Sequence, residues 1–159
     1  MTNRASQLLE QVTARLQDRV IRCELNRVGE VTLEVAADSL IEVMSLLRDD
    51  PALQFDQLID IAGIDYSTYG QGDDDALVDE DSFAEVVSSA KLGAVYHLMS
   101  LPFNWRIRVH TAAPEALPML DSVVDIWPAA NWFEREAFDL FGIIFNGHPD
   151  LRRILTDYG

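Results

Sequence analysis

The sequence predicts an α+β domain in which helices cover a largely antiparallel sheet. Three observations carry that expectation. Ala5, Leu8, Leu9, Val12 and Leu16 recur at helical spacing ahead of two short apolar runs. The stretch from Leu92 to His110 alternates on both sides of a four-residue Leu-Pro-Phe-Asn link, which is hairpin patterning. The stretch from Pro128 to Phe141 returns to helical spacing, with Gly142 placed as its stop and a short turn-helix expected beyond.

Taken in order, residues 4–18 form an amphipathic helix. Val20 to Leu25 and Val31 to Val35 read as two strands joined through Gly29, with Val31, Leu33 and Val35 inward and Thr32 and Glu34 outward. Ser39 and Glu42 have capping-box spacing, so a second helix is expected over 39–49, ended by Pro51. Leu58 to Tyr66 reads as a strand. From Gly70 the chain turns acidic and weakly patterned to about Ala90, and no Lys or Arg occurs between Asp49 and Ala90. Residues 70–90 are expected to be a flexible solvated loop, favoured over a lure for a basic partner, and Ser82 and Glu85 allow a turn or two of helix within it.

In the hairpin that follows, Trp105, Ile107 and Val109 alternate with Arg106, Arg108 and His110. The two arginines read as solvated or paired with nearby acids in preference to docking. Pro114 to Leu120 is expected to give a turn of helix and Asp121 to Trp127 an extended segment.

In the terminal helix Phe133, Ala137, Leu140 and Phe141 share a face that continues to Ile144, and Pro128 suits its first turn. Arg135 and Asp139 sit four apart and are expected to pair along the outer side, where Glu136 also points. Glu134 projects into the apolar arc. An unpaired carboxylate there costs several kcal/mol, so it needs a cationic or multi-donor partner, and Arg152 or Arg153 are the nearest in sequence. The other reading is that helix tilt carries it to solvent. Asn146-Gly147-His148-Pro149 is turn chemistry, and Pro149 is placed to open a short helix through Arg152, Arg153 and Leu155.

Composition narrows the function classes. The 159 residues make one domain, 1–159, and 48% hydrophobic content gives it a core. A formal charge of −15 argues against nucleic-acid or anionic-lipid binding. Cys23 is the sole cysteine, which excludes an internal disulfide and a cysteine-ligated cluster and leaves it to pack as a small hydrophobe. No run approaches the length of a bilayer span, and the start lacks the apolar core of a secretory signal, so a soluble cytoplasmic protein is expected. Neither common phosphate-binding glycine fingerprint occurs. Glu136, Asp139 and His148 are the one candidate metal set, disfavoured because no Glu-x-x-His spacing accompanies them. His148 has two better roles, capping the short helix or donating to a carboxylate of the preceding helix. No active site is expected in the chain.

The run Glu134-Arg135-Glu136-Ala137-Phe138-Asp139-Leu140-Phe141-Gly142-Ile143, followed by Gly147-His148-Pro149-Asp150-Leu151-Arg152-Arg153-Ile154-Leu155 and preceded by Pro128-Ala129-Ala130-Asn131-Trp132, resembles the signature of the C subunit of respiratory complex I, the 30 kDa subunit family of NADH-quinone oxidoreductase. The resemblance implies a noncatalytic subunit of the peripheral arm, on the cytoplasmic side of a bacterial inner membrane. It implies contact with the large quinone-site D subunit and with neighbouring iron–sulfur subunits. Flavin, clusters and quinone are then held by other chains, and membrane contact runs only through the complex. The signature and docking residues it implies are Trp132, Glu134, Arg135, Glu136, Asp139, Gly142, His148, Pro149, Arg152 and Arg153. The equivalent subunit of a related membrane-bound hydrogenase shares the signature and is the alternative, with a free-standing metalloenzyme third. Members of the family continue past Leu155-Thr156-Asp157-Tyr158-Gly159 into an extended tail, a departure that touches the strength of assembly more than the fold.

Deleting Asp73 to Asp81 is expected to leave the melting temperature unchanged. A large fall on thermal denaturation would refute the loop reading.

Overall fold

The computed structural model describes residues 3–67 and 91–158. The first helix, α1 (Arg4–Leu16), starts at Asn3, whose side chain accepts from the Ala5 N–H at 3.4 Å, and it buries Leu8, Val12 and Leu16. One 3-10 turn, Gln17–Arg19, leads into the hairpin of β1 (Arg22–Leu25) and β2 (Val31–Glu34). Gly29 takes φ +82° at its tip, where a side chain would be strained. The helix α2 (Leu40–Asp49) then carries the chain to β3 (Gln57–Asp65), β4 (Leu92–Ser100) and β5 (Trp105–Ala112). Last come β6 (Met119–Asp121), α3 (Ala130–Phe141) and β7 (Ile144–Asn146).

The main sheet has the order β1-β2-β5-β4-β3. Every neighbour pair is antiparallel except β2 with β5. The reason is topological. Because α2 crosses from the β2 side to the far edge, the meander β3-β4-β5 works back and lays β5 alongside β2 in the same direction.

Register separates the two faces. Leu33 lies opposite Val109, and Val109 opposite Tyr96, which in turn faces Ile61, giving one continuous apolar face. The helices lie on that face: the Thr13 hydroxyl of α1 donates to Cys23 Sγ at 3.8 Å, and the ring of Phe141 lies over Gly63. Cys23 is half-buried with its thiol pushed up by burial, consistent with a small packing residue. The opposite face carries Thr32, His97, Arg106 and Arg108.

Several expectations change. Thr32 and Glu34 point away from the helices but are only 8% and 4% exposed, and burial pushes the Glu34 carboxyl up. β2 is an inner strand with a neighbour on each side, which strand alternation alone does not reveal. Ser39 makes no capping hydrogen bond, because a 3-10 turn, Ala37–Ser39, winds the chain into α2 instead. The turn of helix expected after Pro114 and the extended segment after Asp121 exchange characters. Met119–Asp121 is a strand paired parallel to β7, and the Ile126 and Trp127 N–H groups both donate to the Val123 carbonyl in a tight turn. The expected acidic loop at 70–90, with its possible helical turns, lies outside the described residues.

Gly63 is where the Phe141 ring of α3 packs directly onto β3. A Cβ there would sit 2.4 Å from the Phe141 ring. Gly63→Val is expected to cost about 1–3 kcal/mol in denaturant melts, and much less in a Phe141→Ala background, because relief of overpacking couples the two sites. Equal penalties in both backgrounds would refute the contact.

Candidate functional site

The side chains of α3 divide between an inner anchor and a C-terminal latch. The inner anchor is Glu134, which is 0% exposed. The Val123 N–H donates to its Oε1 at 2.8 Å and the Ser122 hydroxyl to its Oε2 at 2.6 Å. The same hydroxyl accepts from the Val124 N–H at 3.2 Å, so one carboxylate shapes the start of the 122–127 turn. Arg48 of α2 supports the end of that turn by donating to the Ile126 carbonyl at 3.0 Å. The multi-donor partner expected for Glu134 is therefore present. The expected arginine is not: Arg152 and Arg153 are exposed and engaged elsewhere. Burial pushes the Glu134 carboxyl up to about 7 against the pull of its two donors. The buried Tyr96 phenol is raised well above its usual range, first by burial and then by the nearby Glu134 and Asp121.

The latch is made by the two residues expected to pair with each other. Arg135, 7% exposed, donates from Nε to the Arg152 carbonyl at 3.1 Å and from Nη2 to the Arg153 carbonyl at 3.0 Å. Its guanidinium stacks 5.2 Å from the centre of the Trp132 ring. Asp139 Oδ2 accepts from the N–H groups of Ile154, Leu155 and Thr156 at 3.1, 2.8 and 2.9 Å. The Thr156 hydroxyl donates to Oδ1. That hydroxyl, with the three backbone donors, holds the Asp139 carboxyl well below the usual carboxylate range. These contacts explain why the short helix after Pro149 does not form. Its N–H groups and carbonyls already have side-chain partners, so no helical ladder is needed.

His148 neither caps a helix nor meets a carboxylate. Its Nδ1 accepts from the Asp150 N–H at 3.0 Å, which places the ring proton on Nε2, 3.0 Å from the Asn131 carbonyl. The ring thus pins the Gly147 turn, where φ is +85°, against the start of α3, and Pro149 stays exposed beside it. Gly142 closes the helix as expected, with φ +75° and its N–H donating to the Phe138 carbonyl at 2.8 Å. Arg152 pairs with Asp150 at 2.8 Å, and Arg153 donates to the Asp157 carbonyl at 2.6 Å while lying 5.5 Å from the Tyr158 ring centre. Glu136 is exposed. So are Trp132 at 61% and Leu140 at 52%, which removes Leu140 from the apolar face assigned to it.

The metal set is not assembled. Asp139 and His148 are committed to backbone groups, and no cluster of three or more His, Cys, Asp or Glu suited to a metal occurs among the described residues. Ser122, Val123 and Thr156 complete the anchor and latch, and no spacing in the sequence marks them. What the arrangement does chemically is hold a terminal segment in place.

Glu134 gives a test with a sign. Its folded-state value of about 7 lies above the ordinary 4.5, so its stabilising contribution is full below about 4.5 and is lost as pH rises through about 7. The loss is expected to reach roughly 3 kcal/mol. His110, pushed down to about 4 by burial, contributes with the opposite sign, so the readout is the difference between wild type and Glu134→Gln across that range. Gln keeps one acceptor for Val123 and a donor for Ser122, so its cost at neutral pH is expected to be no more than about 1 kcal/mol. Glu134→Ala orphans both donors and should cost about 1–3 kcal/mol. Identical pH profiles for wild type and Gln would refute the assignment.

Comparison with known proteins converges on one family. Residues 33–159 match the family described as respiratory-chain NADH dehydrogenase, 30 Kd subunit. The C subunit of NADH-quinone oxidoreductase from Ralstonia nicotianae is 48% identical over 100% of this chain and 73% of its own length. The protein of the same name from Burkholderia thailandensis is 55% identical over 83% of this chain and 60% of its own. Among solved structures, the trypsin-resistant fragment of Nqo5 superposes with a TM-score of 0.69 at 33% identity, covering 94% of this chain and all of the fragment. A chain of an archaeal membrane-bound sulfane sulfur reductase shares the fold at TM-score 0.70 and 19% identity, covering 98% of this chain and 79% of that one. With its α3 sequence and latch inside the matched region, the chain belongs to the 30 kDa subunit family of respiratory-chain NADH dehydrogenase, the family of the NADH-quinone oxidoreductase C subunit.

Proposed function

We propose that this chain is a noncatalytic assembly subunit of the peripheral arm of NADH:quinone oxidoreductase, and that it docks on the large quinone-site subunit through its terminal segment. The observation that carries the docking is the latch. Arg135 and Asp139 fix the segment from Arg152 to Thr156 by six hydrogen bonds, five of them to backbone groups, yet Leu155 in it, Tyr158 just beyond it, and Trp132 and Leu140 on the outer ridge of α3 stay in solvent. Trp132, Leu140, Leu155 and Tyr158 are 61%, 52%, 62% and 71% exposed. A rigid segment presenting exposed aromatic and aliphatic side chains is suited to bury them in an interface.

Flavin, iron–sulfur clusters and quinone belong, in this reading, to neighbouring chains, and the arm faces the cytoplasm of a bacterium. No helix among the described residues is long and apolar enough to cross a membrane, so contact with the bilayer runs through the complex. The hydrogenase-type alternative gains no specific support, since the archaeal likeness speaks to fold alone. The metalloenzyme alternative is weakened by the commitment of Asp139 and His148 to backbone partners.

A tagged chain recovered from membranes of its own host is expected to bring other subunits of the complex with it. Leu155→Glu combined with Tyr158→Glu should sharply reduce recovery of the large subunit while the isolated domain melts as wild type. The isolated chain is expected to carry no flavin or iron and not to oxidise NADH. Stoichiometric, tightly held metal after purification would overturn the noncatalytic reading. Undiminished recovery in the double variant would overturn the docking surface.

A further inference from the structure

The sheet face opposite the helices carries an open groove of about 340 Å³. Its lining includes Glu30, Ile59, His97, Met99, Arg106 and Arg108. Register sets these side by side: His97 lies opposite Arg108, and Met99 opposite Arg106, so the groove runs across β4 and β5 towards the edge strand β3. At that edge the pairing of β3 with β4 shifts between Leu58 and Asp60, which leaves Ile59 turned out and 51% exposed.

The two arginines of the lining are not equivalent. Arg108 is held: its Nη2 lies 2.8 Å from Glu30 and its Nε donates to His97 Nε2 at 3.2 Å. Glu30 thereby offsets the charge of Arg108 and orients its guanidinium. Arg106, two residues earlier on the same strand and exposed, has no side-chain ion pair or hydrogen bond among the described residues. Asp60, the register partner of His97, is not in the groove lining. In a chain with 27 acidic and 12 Lys or Arg side chains, the groove lining holds two arginines against one committed glutamate. Ile59 and Met99 add apolar surface beside that surplus charge.

We propose that this groove is a second docking site, which takes an extended segment of a neighbouring subunit presenting a carboxylate to Arg106 and an apolar side chain to Ile59 and Met99. The inference rests on the subunit reading above. It concerns a different surface: the helices and the latch lie on one side of the sheet, the groove on the other. A guanidinium whose donors are not taken up within the chain recognises a carboxylate by its fork geometry as well as its charge, and complementary charge at such a rim governs partner choice and approach.

The test uses the full chain in the assembled complex. Benzoylphenylalanine is introduced in place of Ile59, and in a separate preparation in place of Tyr158, followed by irradiation and mass spectrometry of the products. From Ile59 the expected product is a crosslink to an Asp- or Glu-containing segment of another subunit. Arg106→Glu should lower its yield about tenfold while leaving the Tyr158 crosslink and the melting temperature unchanged. A product from Ile59 within this same chain, to lipid, or to a segment lacking acids would overturn the proposal, as would no product or a yield indifferent to Arg106→Glu. If Tyr158 crosslinks and Ile59 does not, the groove proposal alone falls. If neither does and the chain is not recovered with other subunits, the subunit reading itself falls.

Discussion

The carboxylate of Asp139 receives three consecutive backbone N–H groups and a hydroxyl, and the course of the chain after α3 depends on it. Without those bonds the segment from Asp150 onward would need its own ladder or bulk solvent to satisfy its main chain. With them it lies along the helix in an irregular but defined path. Arg135, one turn earlier, takes the carbonyls of the same segment, so a donor and an acceptor four residues apart on α3 clamp opposite kinds of backbone group. Glu134, next to Arg135 in sequence, points the other way and performs the same service for the turn at 122–124. The helix is thus a junction between two loops, and both loops are held through backbone groups.

Much of this architecture can be read from periodicity. The hairpin of β4 and β5, the helices α1 and α2, and the glycine stop of α3 all follow from spacing, because each is governed by contacts within a few residues. The inward position of Glu134 is legible for the same reason. Its partners are not. Ser122 and Val123 reach it through the parallel pairing of β6 with β7, a contact between segments distant in sequence that no local pattern announces. The Arg135–Asp139 pair shows the converse error. An exposed pair at that spacing is worth only a few tenths of a kcal/mol in a helix, so tertiary donors and acceptors easily displace it. Glu34 shows a third kind of failure, since alternation gives the face of a strand but not what buries that face.

The sheet explains why α3 can act as a junction at all. Its ring contact at Gly63 brings the helix close to an edge strand, and the Trp127 indole donates to the Phe55 carbonyl at 3.1 Å just before the helix begins. Helix start and helix end are therefore both referenced to the β3 side of the molecule. Side chains along the intervening turns inherit fixed directions, which is what lets one face of α3 serve the core and another the terminal segment.

The latch grips the main chain almost exclusively; of its contacts only the Thr156 hydroxyl is a side-chain group of the held segment. A clasp of that kind is indifferent to most of the residues it holds. Arg135 and Asp139 make no hydrogen bond with the side chains of Arg152, Arg153 or Leu155, so the grip itself does not depend on which residues stand there. Position and side-chain character are thereby separable: the helix dictates where the segment lies, and what the segment carries there can change without moving it.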